Sequence, residues 1–305
     1  VSISKQSIIR PSSLQQGDQI GIISTARKIS KEELAFAKNT FKSWGLMIVF
    51  GKNLFQEHNQ FAGTDVQRAS DLQQMIDNPD IKAIICARGG YGTVRILDLV
   101  NLSVLQTNPK WIAGYSDVTA LHSNLHNLNI TSLHSTMPIN FSNNTNNSLD
   151  SLKQALFGNP ISYNFPIHDL NRIGHAKGKV VGGNLSIIYS LLGSNSDINT
   201  DGKILFLEDL DEYLYHIDRM MMNLKRNGKL SKLAGLLIGG MSDMNDNTIP
   251  FGKSAMEIIT EAVSEYDYPV AFNFPAGHIN NNNTIVLGQT ANLTIDRNNS
   301  NLTFC

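Results

Sequence analysis

Ile81-Lys82-Ala83-Ile84-Ile85-Cys86 is an apolar run of strand length, and it empties at once into Arg88-Gly89-Gly90-Tyr91-Gly92. The same order recurs where Trp111-Ile112-Ala113-Gly114-Tyr115 runs into Ser116-Asp117 and a helical pattern to about Leu128. Working back, Gln19–Ser24 and Met47–Phe50 are two more strands. Ser30 with Glu33 opens a helix that Gly45 closes, and Thr64 with Gln67 opens another that runs to about Asp77. A helix near Thr93–Val100 and a strand at Ile130–His134 complete the series. Continuously apolar strands alternating with helices predict a doubly wound parallel sheet, covered on both faces and joined by right-handed crossovers.

The chain has 305 residues, which suggests two domains. Hydrophobic residues at 41% supply a sizeable core and exclude a disordered chain. A net charge of −1 gives no broad basic field, so neither nucleic acid nor an anionic membrane is expected as a partner. Cys86 and Cys305 do not make a disulfide framework. No run approaches the roughly 18 apolar residues of a membrane span, and the opening Val-Ser-Ile-Ser-Lys-Gln-Ser has no signal-peptide core. A soluble, cytoplasmic, globular protein is expected.

Composition shifts after Pro138. Asn140–Asn147 is polar and asparagine-rich, and 141–177 reads as a linker with a few short elements. Asn280–Asn283 reads as a surface turn. The second half, 178–305, opens at Gly178–Val181. Its strand candidates are Lys203–Leu207, Leu233–Ile238, Tyr268–Phe272, Thr284–Leu287 and Ala291–Ile295; its helix candidates are Leu185–Leu192, Glu212–Asn227 and Lys253–Tyr266. More strands than helices predict a mixed α/β domain here, after an N-terminal domain of residues 1–140.

Ligands of open parallel sheets bind beyond the carboxyl ends of the strands. The glycine turn at 88–92 lets backbone amides approach a ligand, although it is neither G-x-G-x-x-G nor a phosphate loop. Ser116 stands at a strand–turn–helix junction, with the Asp117 amide at the positive end of the next helix. That resembles a nucleophile elbow, but Val118 replaces the second glycine of G-x-S-x-G, and the motif alone favours a plain N-cap, since serine caps are far commoner than serine nucleophiles. A serine nucleophile needs a base and an orienting acid. Glu208 ends the apolar strand Lys203–Leu207, whereas its neighbours in the acidic run 209–212 read as solvated. His278 is fixed by Pro275 and Gly277. His122 and His126 are four apart on a helix, but the glutamate of H-E-x-x-H is missing, so packing rather than zinc is expected. His58, His134, His175 and His216 carry no local signature; Met220–Met222 reads as core or interface filler and Arg219 as structural.

In sequence order ARGGYG (87–92), GYSDVTALH (114–122), GGNLS (182–186), FLEDLDEYLYHIDRMM (206–221) and FPAGH (274–278), with GDQIGIIS from Gly17, resemble the LD-carboxypeptidases. That family includes the muramoyltetrapeptide carboxypeptidases and the microcin C-immunity peptidases. The resemblance implies Ser116 as nucleophile, Glu208 and His278 as its partners, and an oxyanion hole from the Asp117 amide and the Gly89–Gly90 turn. It implies a smaller β-rich C-terminal domain carrying Glu and His, a homodimer, and no metal or organic cofactor. The substrate class it implies is a peptide ending in a D-amino acid on an L-centre. The absence of a long inserted loop favours muropeptide tetrapeptide, with D-alanine released in cell-wall recycling, over microcin-type peptidyl-nucleotides. A carboxypeptidase must also hold a terminal carboxylate. Arg88 either grips it bidentately or makes an ion pair, and Tyr91 and Asn184 are further substrate-lining candidates. The rival readings are a non-enzymatic α/β protein holding a small anion on the same turns, and an α/β-hydrolase esterase.

Overall fold

The computed structural model describes residues 8–305; the opening stretch read for a signal core lies outside the described residues. In the first half β1 (Gln19–Ile23), α1 (Ala35–Ser43), β2 (Met47–Phe50), α2 (Asp65–Asp77), β3 (Ile81–Cys86), β4 (Trp111–Gly114), α3 (Thr119–Asn127) and β5 (Ser132–His134) alternate as expected. Thr64 and Gln67 close a reciprocal capping box on α2. Ser30 and Glu33 make the same pair of bonds, but regular helix starts only at Ala35. Residues 93–99, expected as a helix, form a 3-10 turn.

The next stretch holds α4 (Asn146–Phe157) and β6 (Ser162–Phe165), so 141–177 is more than a connection. Thr145 caps α4 through Ser148 N, and Gly158 ends it. The helix was hidden because its buried face includes Ser148 and Ser151 beside Leu152, Ala155 and Leu156, which blurs the apolar period. Then follow β7 (Gly174–Asn184), α5 (Leu185–Leu191), β8 (Ile204–Leu210), α6 (Leu214–Arg226), β9 (Gly235–Ser242), α7 (Ala255–Ala262), β10 (Val270–Ala271), β11 (Ile285–Leu287), β12 (Thr290–Ile295) and β13 (Ser300–Phe304).

Two sheets result. The first has the order β11-β5-β4-β3-β1-β2, parallel except for the antiparallel edge strand β11. The second has the order β10-β9-β8-β7-β12-β13-β6, parallel on its β10–β7 side and antiparallel beyond it. The protein is thus α/β, with a parallel N-terminal sheet and a mixed C-terminal one. The halves interlock, because β11 from the C-terminal half borders the N-terminal sheet. One core cluster unites Leu133, Phe206, Phe274 and Ile285 from both halves.

Side-chain alternation along β8 decides what faces what. Ile204 and Phe206 belong to that shared core, whereas Leu205 and Leu207 pack in a separate core with Ile217, Met220 and Met221 of α6. Glu208 therefore continues the shared face and Asp209 the helix-covered one. Cys86 is buried at the end of β3, and burial pushes its thiol up to about 12, which removes it as a nucleophile at neutral pH. Among the described residues, no helix is long and apolar enough to cross a membrane.

Candidate active site

β3 and β4 are neighbours, and the turns beyond their carboxyl ends meet. Ser116 adopts φ 63°, a left-handed conformation rare outside glycine and the sign of a sharp elbow. The turn Ser116–Val118 runs directly into α3, which sets the serine at the positive end of that helix. Gly89 lies against it: a Cβ there would sit 3.1 Å from Ser116 Cβ, 3.3 Å from Ser116 Oγ and 3.2 Å from Met137 Cε. Gly90 follows in the same turn at φ 110°. Gly89→Ala is accordingly expected to misplace the reacting atoms and lower kcat by about 100-fold without unfolding the chain. Wild-type kcat in a folded Gly89→Ala enzyme would remove this turn from the reacting centre.

The other half brings two groups to the same place. His278 Nε2 lies 3.0 Å from Ser116 Oγ, and His278 Nδ1 lies 2.7 Å from Glu208 Oε2. The His278 backbone N–H donates to the same Glu208 oxygen at 3.2 Å. Gly277 makes this approach possible, since a Cβ there would come within 2.7 Å of Glu208 Oε2. The ladder between β8 and β9 shifts register around Glu208. The shift gives Gly240 N–H to Ala276 O at 2.9 Å, and Ser242 Oγ donates to His278 O at 2.8 Å, so β9 holds the histidine loop over the acid.

The asparagine run also takes part. Read as a surface turn, it instead buries Asn282 and Asn283. Asn282 Oδ1 accepts from Gly277 N at 2.9 Å, and Asn283 N donates to Pro275 O at 2.8 Å. The packing around the imidazole was likewise silent in the sequence. The Tyr115 ring lies 4.8 Å from that of His278, and its hydroxyl donates to Asn140 Oδ1 at 3.2 Å. His134 sits behind Tyr115 and against Phe206, fully buried.

Burial sets the charges. Glu208 is fully buried; burial opposes its ionisation, but adjacent His278 holds the carboxyl below the usual range. For His278, burial opposes protonation, and the Glu208 carboxylate outweighs it and lifts the imidazole above its ordinary value. Burial pushes His134 down to about 3 and His122 down to about 4, so both are neutral. His122 Nε2 meets the Gly114 carbonyl at 2.9 Å, a packing role beneath the elbow. Among the described residues, no three His, Cys, Asp or Glu side chains converge as metal ligands.

The remaining candidates part company. The Asp117 side chain is buried and turned away from the serine, with Oδ2 accepting from Thr93 N at 2.7 Å, which leaves its backbone amide as the relevant group. Arg88 donates to Lys28 O at 3.3 Å and lies 3.6 Å from Glu33 Oε1, so the ion-pair alternative is the one observed. Tyr91 is exposed on the glycine turn beside Phe61. Asn184 lies on the acid side of the site: its Oδ1 caps α5 through Ile187 N, its Nδ2 donates to Asp209, and its side chain also helps keep Glu208 ionised. Asp209, read as solvated, is 2% exposed. Arg219 is exposed and lies over the Tyr215 ring. A hydroxyl, an imidazole and a buried carboxylate in line, with amides beside the hydroxyl, can perform acyl transfer.

Comparison with known proteins agrees. The LD-carboxypeptidase N-terminal domain matches residues 20–135 and the LD-carboxypeptidase C-terminal domain residues 177–293. The chain is 33% identical over 297 residues to the probable murein peptide carboxypeptidase of Bacillus subtilis, covering 92% of this chain and 90% of that one. It is 27% identical to the murein tetrapeptide carboxypeptidase of Pseudomonas aeruginosa, covering 94% and 98%. The crystal structure of muramoyltetrapeptide carboxypeptidase from Oxalobacter formigenes superposes with a TM-score of 0.85 at 25% identity, over 94% of this chain and 98% of that one. The microcin immunity protein MccF in complex with glutamyl sulfamoyl guanosine reaches the same TM-score at 21% identity, over 97% and 98%, which speaks for the fold. With both domains matched in order across an interlocked pair of sheets, the chain belongs to the LD-carboxypeptidase family of serine peptidases.

Proposed function

We propose that this carboxypeptidase releases the terminal D-alanine of a muropeptide tetrapeptide by cutting an L,D-peptide bond, with Ser116, His278 and Glu208 as its triad. The observation that carries the reading is the unbroken relay from Ser116 Oγ to His278 Nε2 at 3.0 Å and from Nδ1 to Glu208 at 2.7 Å. His278 takes the Ser116 proton as the hydroxyl attacks the scissile carbonyl. Glu208 fixes the tautomer that leaves Nε2 free to accept, and it stabilises the imidazolium that forms. The amide of Asp117 and one from the Gly89–Gly90 turn hold the tetrahedral oxyanion, each worth about 3–4 kcal/mol of transition-state stabilisation. The imidazolium then protonates the leaving amine, and water, activated by the same histidine, hydrolyses the acyl-enzyme.

Arg88, part-exposed at the turn, exchanges its 3.6 Å ion pair with Glu33 for the terminal carboxylate when substrate binds. Tyr91 lines the same mouth. Residues 1–140 form the nucleophile half and 178–305 the acid–base half, joined through 141–177. A homodimer in the cytoplasm is the setting that the family resemblance supports. Mass spectrometry of a muropeptide tetrapeptide after incubation tests the reading: loss of the terminal alanine is expected. An intact tetrapeptide, alongside cleavage of an aminoacyl sulfamoyl nucleoside, would transfer the enzyme to the microcin-type branch.

A further inference from the structure

Beside the relay lies a second set of buried polar groups that the chemistry does not consume. Asn184 and Asp209 are 5% and 2% exposed. Asn184 Nδ2 donates to Asp209 Oδ1 at 2.9 Å. Asp209 also accepts from Leu210 N and Ser186 N, each at 2.9 Å. The Asn184 backbone N–H crosses to the other half and donates to Thr119 Oγ1 at 3.0 Å. Thr119 is fully buried and opens α3 just beyond Ser116. The contacts close on themselves: from Ser116 along the chain to Thr119, across to Asn184, on to Asp209, along β8 to Glu208, and back through His278 to Ser116.

We propose that Thr119, Asn184 and Asp209 are positioning residues, a clasp that sets the register between the nucleophile half and the acid–base half. This rests on the reading of Ser116, Glu208 and His278 as the triad. Two consecutive buried carboxylates on one strand are costly, and an apolar side chain at 209 would pack against α5 and α6 at less expense. The carboxylate instead has three donors converging on it, one of them the residue that bridges to α3. Asn184 is also the register partner of Glu208 across the β7–β8 ladder, so the clasp and the acid share one rung.

The clasp is also electrostatic. Burial and the Glu208 charge push Asp209 up to about 7. The charged or titratable groups facing it are Glu208 and Glu212 from its own stretch and His278 from the loop above. Those facing His278 are Glu208 and Asp209 from β8, His134 from β5 and Tyr115 just beyond β4. Where Asp209 is ionised its charge raises the proton affinity of His278, so removing it lowers that affinity.

Asp209→Asn, nearly isosteric, is expected to lower kcat on an L,D-tetrapeptide about 10-fold with KM little changed, because reacting groups are misplaced while the substrate contacts remain. The acid limb of its kcat/KM profile is expected to move to lower pH, a shape that does not depend on how much of the preparation is folded. Thr119→Val, which strands the Asn184 N–H, is expected to fall similarly, and Thr119→Ser, which keeps the acceptor oxygen, to recover. Wild-type kcat with an unmoved acid limb in Asp209→Asn would overturn the clasp. So would a raised KM at unchanged kcat, which would return this pair to substrate binding. Turnover by folded Ser116→Ala would instead overturn the triad reading beneath it.

Discussion

Ser116→Ala is expected to lower kcat by about a million-fold while leaving the fold and most of the substrate affinity in place. The loss is large because the hydroxyl is the bond-forming group, and a water that His278 could activate in its place is not held covalently against the scissile carbonyl. The fold survives because the Ser116 side chain makes one hydrogen bond, to His278 Nε2, and the His278 side chain is itself 14% exposed. Alanine meets the same left-handed backbone demand as serine at φ 63°. The amides of Asp117 and of the glycine turn are main-chain groups and remain, so a residual rate of about 10³–10⁴ over uncatalysed hydrolysis is expected from them and from binding. Single-turnover kinetics, together with labelling by a serine-directed phosphonate, checks both parts. Labelling of wild type and none of the variant is expected. A folded Ser116→Ala enzyme keeping a tenth of wild-type kcat would show that the attack begins elsewhere.

Much of this site was legible because backbone demands leave marks on sequence. Apart from the exposed Lys82, Ile81–Cys86 and Trp111–Gly114 are buried on both faces of a sheet and read as apolar runs. Glycines and a serine at their ends mark turns with little room for side chains. What stayed hidden has no such local mark. Asp209 and Asp211 stand two apart in one acidic run, yet Asp209 faces the helices over β8 while Asp211 lies exposed beyond the strand. Alternation alone would put both on one face; what separates them is that β8 ends at Leu210 and the chain turns at Asp211, which has φ 59°. Asn282 looks like its neighbours in a polar run, and its bond to Gly277 exists because the chain folds back on itself. β11 is a short segment whose partner, β5, is far away in sequence. His134 shows nothing locally, because its place behind Tyr115 is fixed by two sheets meeting.

His278→Ala is the second large loss, again about a million-fold in kcat, and it carries a separate signature in stability. The imidazole is what keeps Glu208 ionised at a fully buried position. Without it, burial, the largest influence on this group, is opposed only by the backbone N–H at position 278, Asn184 and His134, and the Glu208 carboxyl moves above its ordinary value of 4.5. The signs then oppose. In wild type a lowered carboxyl contributes stability that is present above its unfolded value and lost as pH falls. In His278→Ala a raised carboxyl contributes stability that is present below the unfolded value and lost as pH rises through the folded one. At neutral pH the variant should be destabilised by about 3 kcal/mol, the typical result of stranding one member of a buried pair, and the deficit should shrink on acidification. Adding Glu208→Gln removes the stranded charge, and its carbonyl can still accept from the His278-position backbone N–H. The double variant should therefore regain most of the stability at neutral pH and none of the turnover. Denaturant melts of both variants from about pH 4 to about pH 8 read this directly, set against the reference carboxyl value. A His278→Ala deficit that stays flat with pH, or persists undiminished in the double variant, would show that Glu208 does not depend on the imidazole for its charge, and the relay would lose its acid.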